Sequence, residues 1–476
     1  MAGNRYDAVV VGSGPNGLAA AITMAQEKRS VLLIEASDRV GGGARTKELT
    51  LPGFRHDVCA AIHPLALASP FFRSLGLEAY DLEWIHAPRP LAHPLHNDRA
   101  VLLERSIEKT SLGLEGDGYS YGRLMGPFVK NWEELVEDLL RPLSFPAHPW
   151  TSLPFSAKGI LSARVVADQW FREKRARALF AGNACHSVLP LENISSGAFG
   201  LMLGMLGHAV GWPLVRGGSQ ALSDALASCL KSLGGEIVLD SPVSSMEDLP
   251  ASRTVLFDLS PIQMERIAGE RFPPEYRRRL IKHRHGPGVF KIDWALHGPI
   301  PWQDPECTKA GTVHLGGTFE EIADSEGRVW DGIVPKRPFV LLSQPSLFDT
   351  TRAPQGRHTA WAYCHVPNGC TVDMTDAIED QVERFAPGFK DTIVARHVMT
   401  PALMEQYNPN YVGGDIVGGV QSFRRLFLRP LGRWEAYSTP ASGIYLCSAS
   451  MPPGGGVHGM CGHLAAKKAL REMWPS

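Results

Sequence analysis

The first forty residues alternate between apolar runs and a helix-like segment. Ala8 to Val11 are four consecutive apolar residues, which predicts a strand buried on both faces. An alanine-rich run follows and predicts a helix, and a second apolar run, Val31-Leu32-Leu33-Ile34, predicts the next strand. This strand–helix–strand order is typical of a βαβ unit with a parallel sheet.

The rest of the chain shows two further sequence patterns. Residues 76–214 read as helical and mixed, with proline-rich breaks, whereas residues 286–367 contain short strand-like runs separated by turns. One of these runs is Val289 to Leu296, where apolar and polar residues alternate only in the middle. Short strands separated by turns suit an antiparallel sheet that forms one wall of a second domain. A last apolar run, Ile444 to Cys447, predicts a strand that precedes a closing helix, Cys461 to Met473.

Residues 194–215 contain no Asp, Glu, Lys or Arg, and they are numerous enough to span a bilayer. Five glycines in this segment recur at helical spacing and form one face. A glycine face lets another helix or a flat ligand approach closely. Three interpretations stay open: a buried helix, the wall of an apolar channel or membrane-facing surface, and a true membrane span.

Composition and charge narrow the class of protein. The chain has 476 residues, 44% of them hydrophobic, which is enough for a large core. Its formal net charge of −1 argues against nucleic acid as a partner, because a phosphate-binding surface needs a basic excess. The eight cysteines form no C-x-x-C pair, so we predict free thiols in a reducing compartment and no metal site. Because the chain opens directly into its first strand, we predict no signal peptide and a cytoplasmic location, with peripheral membrane contact as an option.

The turn after the first strand carries the clearest chemical signal. Gly12, Gly14 and Gly17 fit the spacing G-x-G-x-x-G, which allows a tight turn, close approach of a pyrophosphate and close packing of helix on strand. The helix N-terminus then directs its free N–H groups and positive dipole at the phosphates. Glu35 ends the second strand, 23 residues past Gly12, where a ribose-binding carboxylate is expected. These features together predict a dinucleotide site.

A second glycine cluster follows the acidic residue. Arg39, Gly41 and Gly42, with Thr46 beyond them, resemble the R-x-G-G-x-x-x-[ST] motif of FAD oxidoreductases of the glutathione-reductase-like superfamily. Relatives commonly have arginine where Gly43 stands, and the resemblance implies that Arg45 supplies that charge.

Two later segments extend this resemblance. Residues 216–258 resemble the part that re-enters the FAD domain, where Val243 matches the position whose backbone meets the adenine. The glycine-rich loop of residues 452–459 precedes the closing helix, and its helix N-terminus would stabilise negative charge on a reduced flavin. The closing Pro-Gly-Gly-Gly-Val-His-Gly and the order of segments resemble phytoene-desaturase-related flavoproteins, including those of the pyridine nucleotide-disulphide oxidoreductase domain 2 type.

The resemblance implies a fold and a set of site residues. We predict an α/β fold class: a discontinuous Rossmann-like FAD-binding domain with a three-layer parallel sheet (1–75, 215–285 and 435–476) and an α+β substrate domain containing an antiparallel sheet (76–214 and 286–434). Candidates for catalysis are His458, His63 and Asp57; for each histidine, a purely structural role is the alternative, which for His458 means holding the loop by hydrogen bonds. The residues predicted to bind FAD are Gly12, Ser13, Gly14, Pro15, Asn16, Gly17, Glu35, Ala36, Arg39, Gly42, Gly43, Ala44, Arg45, Thr46, Val243, Ser450, Gly455, Gly456, Val457 and His458.

Three hypotheses for function follow from the resemblance. The first is an FAD-dependent dehydrogenase or desaturase that abstracts a hydride from a C–H bond of an apolar substrate such as an isoprenoid or polyene, with oxygen or a quinone as electron acceptor. The second is an amine-oxidase-like flavoenzyme, which needs an aromatic cage and a carboxylate in its pocket. The third is a non-catalytic prenyl- or lipid-binding protein on the same fold. The sequence leaves the substrate and the oligomeric state open.

Overall fold

The structure is a computed structural model that describes residues 6–96, 98–421 and 436–475. The strands in these ranges are β1 (Tyr6–Val11), β2 (Val31–Ile34), β3 (Thr46–Glu48), β4 (Arg55–Asp57), β5 (Trp84–Ile85), β6 (Arg89–His93), β7 (Val101–Leu103), β8 (Leu214–Val215), β9 (Glu236–Val238), β10 (Ser252–Phe257), β11 (Gly288–Leu296), β12 (Ala310–Leu315), β13 (Val340–Ser343), β14 (His358–Val366), β15 (Ile393–Met399) and β16 (Ile444–Leu446). The helices are α1 (Pro15–Gln26), α2 (Pro64–Ala68), α3 (Pro70–Leu75), α4 (Ile107–Leu112), α5 (Gly118–Lys130), α6 (Trp132–Leu139), α7 (Pro149–Gly159), α8 (Ala163–Trp170), α9 (Lys174–Ala184), α10 (Ser196–Ala209), α11 (Ser219–Ser232), α12 (Pro261–Ala268), α13 (Pro274–Ile281), α14 (Phe319–Trp330), α15 (Thr375–Phe385), α16 (Pro401–Tyr407) and α17 (Met460–Met473).

The first sheet is parallel throughout and has the strand order β16-β10-β1-β2-β9. Helix α1 packs against both α11 and α17. The approach of α17 is close enough to require glycine, because a Cβ atom added at Gly462 would lie 1.7 Å from the carbonyl oxygen of Asn16. The carboxyl ends of β1, β2 and β10 meet at one edge of this sheet, which is where open parallel sheets bind ligands.

The second sheet has the order β15-β11-β14-β13-β12-β6-β7, and its strands are antiparallel except for the parallel pair β12–β6. One face is apolar and packs against the helix α15 residues Ile378, Val382 and Phe385. Because side chains alternate along a strand, the other face carries a different set of residues, many of them polar or aromatic. That set includes Lys291, Asp293, Thr312, His314, Trp361 and Tyr363.

The glycine-rich segment forms helix α10, which is almost entirely buried. Its glycines accept neighbouring side chains closely: a Cβ atom added at Gly200 would lie 2.7 Å from the Phe180 ring on α9, and one at Gly207 would lie 2.4 Å from Leu103. Within the described ranges, no helix is both long enough and apolar enough to cross a membrane. The glycine face of α10 therefore serves helix packing.

The predicted fold class is confirmed, since a parallel sheet of the Rossmann type stands beside a largely antiparallel second sheet. The predicted helix at the end of the chain begins one residue earlier than expected, at Met460. The predicted domain boundary at 434/435 lies outside the described residues. The cytoplasmic location and the peripheral membrane contact stay predictions.

Candidate functional site

One cavity of about 590 Å³ connects the two sheets. At one end it is lined by the turns that follow β1 and β2, and at the other by residues of α10 and by the polar face of the second sheet. Of the predicted FAD-binding residues, sixteen line it: Gly12, Ser13, Gly14, Pro15, Asn16, Glu35, Ala36, Gly42, Gly43, Ala44, Arg45, Val243, Ser450, Gly455, Gly456 and Val457.

The β1–α1 turn requires its glycines for two different reasons. Gly12 has a positive φ of 97°, a backbone conformation that is unfavourable for residues with a Cβ atom. Gly17 allows α1 to sit directly on the turn, because a Cβ atom added there would lie 2.0 Å from the carbonyl oxygen of Gly12. Gly17 itself does not line the cavity, so its contribution is to packing. At the start of the helix, the side-chain oxygen of Asn16 is buried and accepts no hydrogen bond from any described residue.

Glu35 is held rigidly at the end of β2. One carboxylate oxygen accepts hydrogen bonds from the Ser13 backbone N–H (2.9 Å) and hydroxyl (2.5 Å), and the other accepts from the Ser37 N–H (3.0 Å). The Arg45 guanidinium lies 3.4 Å from the second oxygen. These contacts hold the carboxylate beside the glycine turn, and its role with a ribose stays a prediction.

The second glycine loop packs against the first. A Cβ atom added at Gly42 would lie 3.1 Å from the Cα atom of Gly14, so the two loops nearly touch. Arg45 is buried and donates to the carbonyl oxygens of Arg39 and Val40. At Gly43, where relatives commonly have arginine, an added Cβ atom would lie 2.1 Å from the Tyr411 hydroxyl, so any side chain there requires Tyr411 to move.

Three predicted cofactor residues besides Gly17 lie away from the cavity. Arg39 is exposed, and its carbonyl oxygen accepts from Arg45. The Thr46 hydroxyl donates to Asp57 (2.7 Å) and accepts from the Gln220 backbone N–H (3.1 Å). His458 is buried, where its Nε2–H donates to the Gly454 carbonyl oxygen (3.2 Å) and its Nδ1 accepts from the Met460 N–H (3.0 Å). These hydrogen bonds match the loop-holding alternative for His458.

Of the other two catalytic candidates, His63 lines the cavity and Asp57 does not. The Ser219 hydroxyl donates to the Ala60 carbonyl oxygen, so His63 Nε2–H must donate to that hydroxyl (2.9 Å). Burial lowers the pKa of His63 to about 4, which keeps the imidazole neutral.

Asp57 is part of a buried ion pair. Its carboxylate lies 2.5 Å from Arg352 and also accepts from the Ser219 N–H (2.8 Å). Burial alone would raise the pKa of Asp57, but the charge and hydrogen bonds of these partners hold it below its usual range. These contacts link Asp57 to Ser219 and Arg352, which lie far from it in the sequence.

Asp258 was missed by the sequence reasoning, although it lines the cavity. It directly follows β10, and its carboxylate accepts a hydrogen bond from the Gly17 backbone N–H (2.8 Å). Burial, together with the nearby charge of Glu35, raises the pKa of Asp258 to about 7. Its place at the end of a buried parallel strand was the available signal, because such strand ends converge on one edge.

The far end of the cavity is apolar and aromatic. Phe199, Met202 and Leu203 of α10 line it, as do Trp212 and Leu341. Trp361 and Tyr363 also contribute, and their rings stack with centroids 5.9 Å apart and planes 6° apart. Two buried polar atoms in this part of the lining, Thr312 Oγ1 and Trp361 Nε1, have no hydrogen-bond partner among the residues that the structure describes. The lining residues of α10 and Trp212 lie within residues 194–215, for which the wall of an apolar channel was one of the three open interpretations, whereas the lining residues of the second sheet were not predicted as site residues.

A comparison with family models matches residues 10–75 to the NAD(P)-binding Rossmann-like domain. Over 98% of its length, the chain is 26% identical to pyridine nucleotide-disulfide oxidoreductase domain-containing protein 2 of Rattus norvegicus, and 94% of that protein is covered. It is 23% identical to the neurosporene-forming phytoene desaturase of Rhodobacter capsulatus, over 96% of this chain and 92% of the relative. The predicted resemblance to oxidoreductases related to phytoene desaturases is thereby confirmed.

Solved structures share the fold over nearly the whole chain. An oxidoreductase from Methanosarcina mazei is similar with a TM-score of 0.66 and 15% identity, covering 98% of this chain and all of that one. Wild-type putrescine oxidase bound to putrescine is similar with a TM-score of 0.64 and 17% identity, covering 99% of this chain and all of that one. The chain is therefore homologous to oxidoreductases and has their fold, while its substrate is a separate question.

Proposed function

We propose that this chain, a homologue of phytoene desaturases, is an FAD-dependent oxidoreductase that removes a hydride from a C–H bond of an apolar substrate. The observation that carries the proposal is the single cavity that joins a dinucleotide-type glycine turn to an aromatic and apolar wall. The names of the homologous desaturases supply the substrate class, an isoprenoid or polyene.

The residues at the strand ends fit FAD. Two glycine loops approach each other at Gly14 and Gly42, which leaves backbone rather than side chains facing a pyrophosphate. Glu35 is oriented for a ribose, and the loop at Gly455 to Val457 closes the cavity beside them. A single Rossmann unit would need only the first loop, so the second supports the longer dinucleotide. When bound, FAD would supply the hydride-accepting ring, and the protein would supply position and electrostatics.

The chain's own residues would orient the substrate and exclude water. Phe199, Met202 and Leu203 form an apolar wall that favours a hydrocarbon body. The stacked Trp361 and Tyr363 form a flat surface along the second sheet. We infer an electron acceptor of the oxygen or quinone class, because no second nucleotide motif is evident in the sequence.

An amine substrate is the second candidate, favoured by the fold shared with putrescine oxidase. The stacked aromatic pair is compatible with it. However, among the described residues the carboxylates that line the cavity are Glu35 and Asp258, both at the glycine turn. An ammonium group at the apolar end would therefore lack a counter-charge, which favours the apolar substrate. A non-catalytic lipid-binding protein, the third candidate, would use the same cavity without flavin.

The decisive experiment has two stages. The purified chain is first denatured and its released cofactor identified by mass spectrometry, with FAD expected. The FAD-bound protein is then titrated anaerobically with a polyene hydrocarbon, a monoterpene and putrescine in separate cuvettes, and flavin absorbance near the visible maximum is followed. Bleaching by a hydrocarbon is expected. A colourless protein that takes up no FAD would refute the proposal, and bleaching by putrescine alone would replace it with the amine alternative. The Gly17→Ala variant serves as a control for specific uptake, since its turn cannot pack as in the parent chain.

A further inference from the structure

Helix α7 turns an apolar face to the outside of the molecule. The opposite side of the helix is buried through Phe155, whose ring packs edge-on against Phe128 of α5 with centroids 5.2 Å apart. The outward residues are exposed and recur every three or four positions, which places them on one face: Trp150, Leu153, Pro154, Ala157 and Ile160. A contiguous apolar face in water is unfavourable, so it indicates a contact outside the chain.

The loop before α7 is also apolar and exposed at Leu143 and Phe145. Its backbone is held in place by Asp138, whose carboxylate accepts hydrogen bonds from the N–H groups of Ala147 (2.9 Å) and His148 (3.0 Å). The two exposed side chains are therefore carried by a fixed backbone. Leu143, Phe145 and the outward face of α7 together form the α7 surface.

The α7 surface lacks charged side chains. Residues 142–157 contain no Asp, Glu, Lys or Arg. The charges at the two ends of this segment are engaged with the protein, since Arg141 pairs with Asp138 and Lys158 lies 5.8 Å from the Phe128 ring centroid. A contact made by the α7 surface is therefore driven by burial of apolar area and is insensitive to charge and salt.

The α7 surface adjoins the apolar end of the cavity. The carbonyl oxygen of Ile160 accepts a hydrogen bond from the Ser195 N–H (3.0 Å), which joins the end of α7 to the start of α10. A Cβ atom added at Gly159 would lie 3.2 Å from the Cβ atom of Ala198, and the next residue, Phe199, lines the cavity. Both α10 residues are partly exposed. Apolar side chains thus lead from the outside of α7 to the cavity.

A lipid bilayer fits this surface better than a second protein chain does. Trp150 and Phe145 retain 92% and 82% of their accessible surface, so they project from the molecule as single side chains. Such side chains enter a fluid apolar phase directly, whereas a protein partner needs a matching pocket for each. Tryptophan is also enriched where hydrocarbon meets water.

We propose that the chain docks on a lipid bilayer through the α7 surface, independently of headgroup charge, and that its substrate passes from the bilayer into the cavity along the start of α10. The proposal rests on the proposed function for the apolar nature of that substrate. A hydrocarbon is held in bilayers rather than in water, so its cavity should open beside one.

Vesicle sedimentation tests the docking. The purified chain is mixed with phosphatidylcholine vesicles, or with vesicles that also contain phosphatidylserine, and the bound fraction is measured. We expect partition coefficients that agree within about twofold and do not depend on salt. The double variant Trp150→Glu/Leu153→Glu should lower the partition coefficient about a hundredfold, because burial of one large apolar side chain changes a binding constant about tenfold.

The matched control is Val372→Glu, which changes an exposed apolar residue in the loop between β14 and α15 and should bind vesicles as the parent chain does. Circular dichroism verifies that both variants fold. The proposal is overturned if the parent chain does not bind phosphatidylcholine vesicles, if it binds only the vesicles with phosphatidylserine, or if the control loses as much binding as the double variant. A dimer of the parent chain that the double variant dissociates would also overturn it, because the α7 surface would then join two copies.

A delivery test separates docking from catalysis. The FAD-bound chain receives a polyene either dissolved in phosphatidylcholine vesicles or carried by cyclodextrin, and anaerobic bleaching of the flavin is followed. The double variant should slow bleaching by vesicle-held polyene at least about tenfold and leave the rate with cyclodextrin unchanged. Equal slowing in both would overturn the passage from bilayer to cavity. If the parent chain bleaches with neither, the proposed function fails, and vesicle sedimentation still decides the docking.

Discussion

The two sheets build their parts of the cavity in different ways. The parallel sheet contributes the ends of its strands, where backbone turns after β1 and β2 converge. The second sheet contributes a face, on which alternate side chains of β12, β13 and β14 point into the cavity. Strand ends present backbone groups suited to a constant ligand such as a phosphate. A face presents side chains that can vary independently, which suits a substrate that differs among homologues.

The face also buries charge within a strand, whereas the buried charges at the strand ends, Glu35 and Arg45, lie in the connecting loops. Lys291 and Asp293 lie on adjacent same-face positions of β11, and both are fully buried. Their ion pair is flanked by His56 at 3.6 Å and His397 at 3.7 Å from the Asp293 carboxylate. The four side chains form a polar cluster beside the aromatic pair, because Lys291 and Asp293 are the cross-strand neighbours of Tyr363 and Trp361, and the Lys291 ammonium lies 5.9 Å from the Trp361 ring centroid.

The largest effect should come from breaking this buried pair. Lys291→Met leaves the Asp293 carboxylate buried without its cation, and we expect a loss of about 3–5 kcal/mol in the free energy of unfolding. Chemical denaturation followed by circular dichroism measures it. The double variant Lys291→Met/Asp293→Leu removes both charges and should recover most of the loss. Equal stability of the single variant and the parent chain would show that the pair does not hold the face together.

The corresponding test at the strand ends is Gly17→Ala. The added Cβ atom would lie 2.0 Å from the Gly12 carbonyl oxygen, so α1 must move away from the turn. We expect a loss of about 2–3 kcal/mol in stability and loss of bound dinucleotide. Gly327→Ala in α14 is the matched control, because an added Cβ atom there meets nothing within 4 Å. It should stabilise the chain by roughly 0.5–1 kcal/mol. A Gly17→Ala chain that keeps its dinucleotide would contradict the assigned turn.

The same contrast explains what the sequence could predict. The strand-end site consists of contiguous residues, so periodicity and spacing indicated the first turn, from Val9 through Gly17 with Glu35, and the resemblance to FAD oxidoreductases indicated the second loop up to Arg45. Asp258 escaped because its contact with Gly17 joins residues 241 positions apart. Only the pairing of β10 with β1 brings them together.

The cavity-lining face of the second sheet was harder to predict from the sequence, for physical reasons. Alternation in β11 indicates two unlike faces, but it does not reveal that the polar one, with Lys291 and Asp293, is buried. Strand β15 has mixed exposure and no clear alternation, so it was not predicted. His186, which also lines the cavity, gave no signal at all, since its partner His314 lies on a strand far away in the sequence.

The ionisation of Asp258 allows the strand-end site to be tested through the pH dependence of stability and of dinucleotide affinity. Burial and the charge of Glu35 raise the pKa of Asp258 to about 7, so the folded protein binds a proton more tightly than the unfolded chain. Stability should therefore fall as pH rises from about 4 to about 7. A charged Asp258 also repels a pyrophosphate, and dinucleotide affinity should fall over the upper part of this range and beyond.

Asp258→Asn tests both statements. It should flatten the pH dependence and bind FAD about tenfold more tightly than the parent chain at pH 8, with little difference at pH 6. Fluorescence titration of the FAD-free protein measures the affinity. The exposed control Asp331→Asn should leave the pH dependence unchanged. If Asp258→Asn bound FAD more weakly at both pH values, the carboxylate would be a ligand of the cofactor rather than a competing anion.

The smallest expected effect is a change in stability on substitution of one buried threonine from each sheet. Thr254 on β10 is buried and donates to the Gly443 carbonyl oxygen at 2.9 Å, so Thr254→Val should cost about 1 kcal/mol of stability. Thr312 on β12 is equally buried, but its hydroxyl has no hydrogen-bond partner in the described part of the chain, so Thr312→Val should raise stability by about 1 kcal/mol when no ligand is bound. Thermal unfolding of the ligand-free variants measures the difference. If Thr254→Val lowers the stability and Thr312→Val raises it, the cavity face keeps an unsatisfied hydroxyl for a ligand at the expense of stability. A loss at both positions would instead mean that Thr312 is already satisfied within the folded chain and is not kept for a ligand.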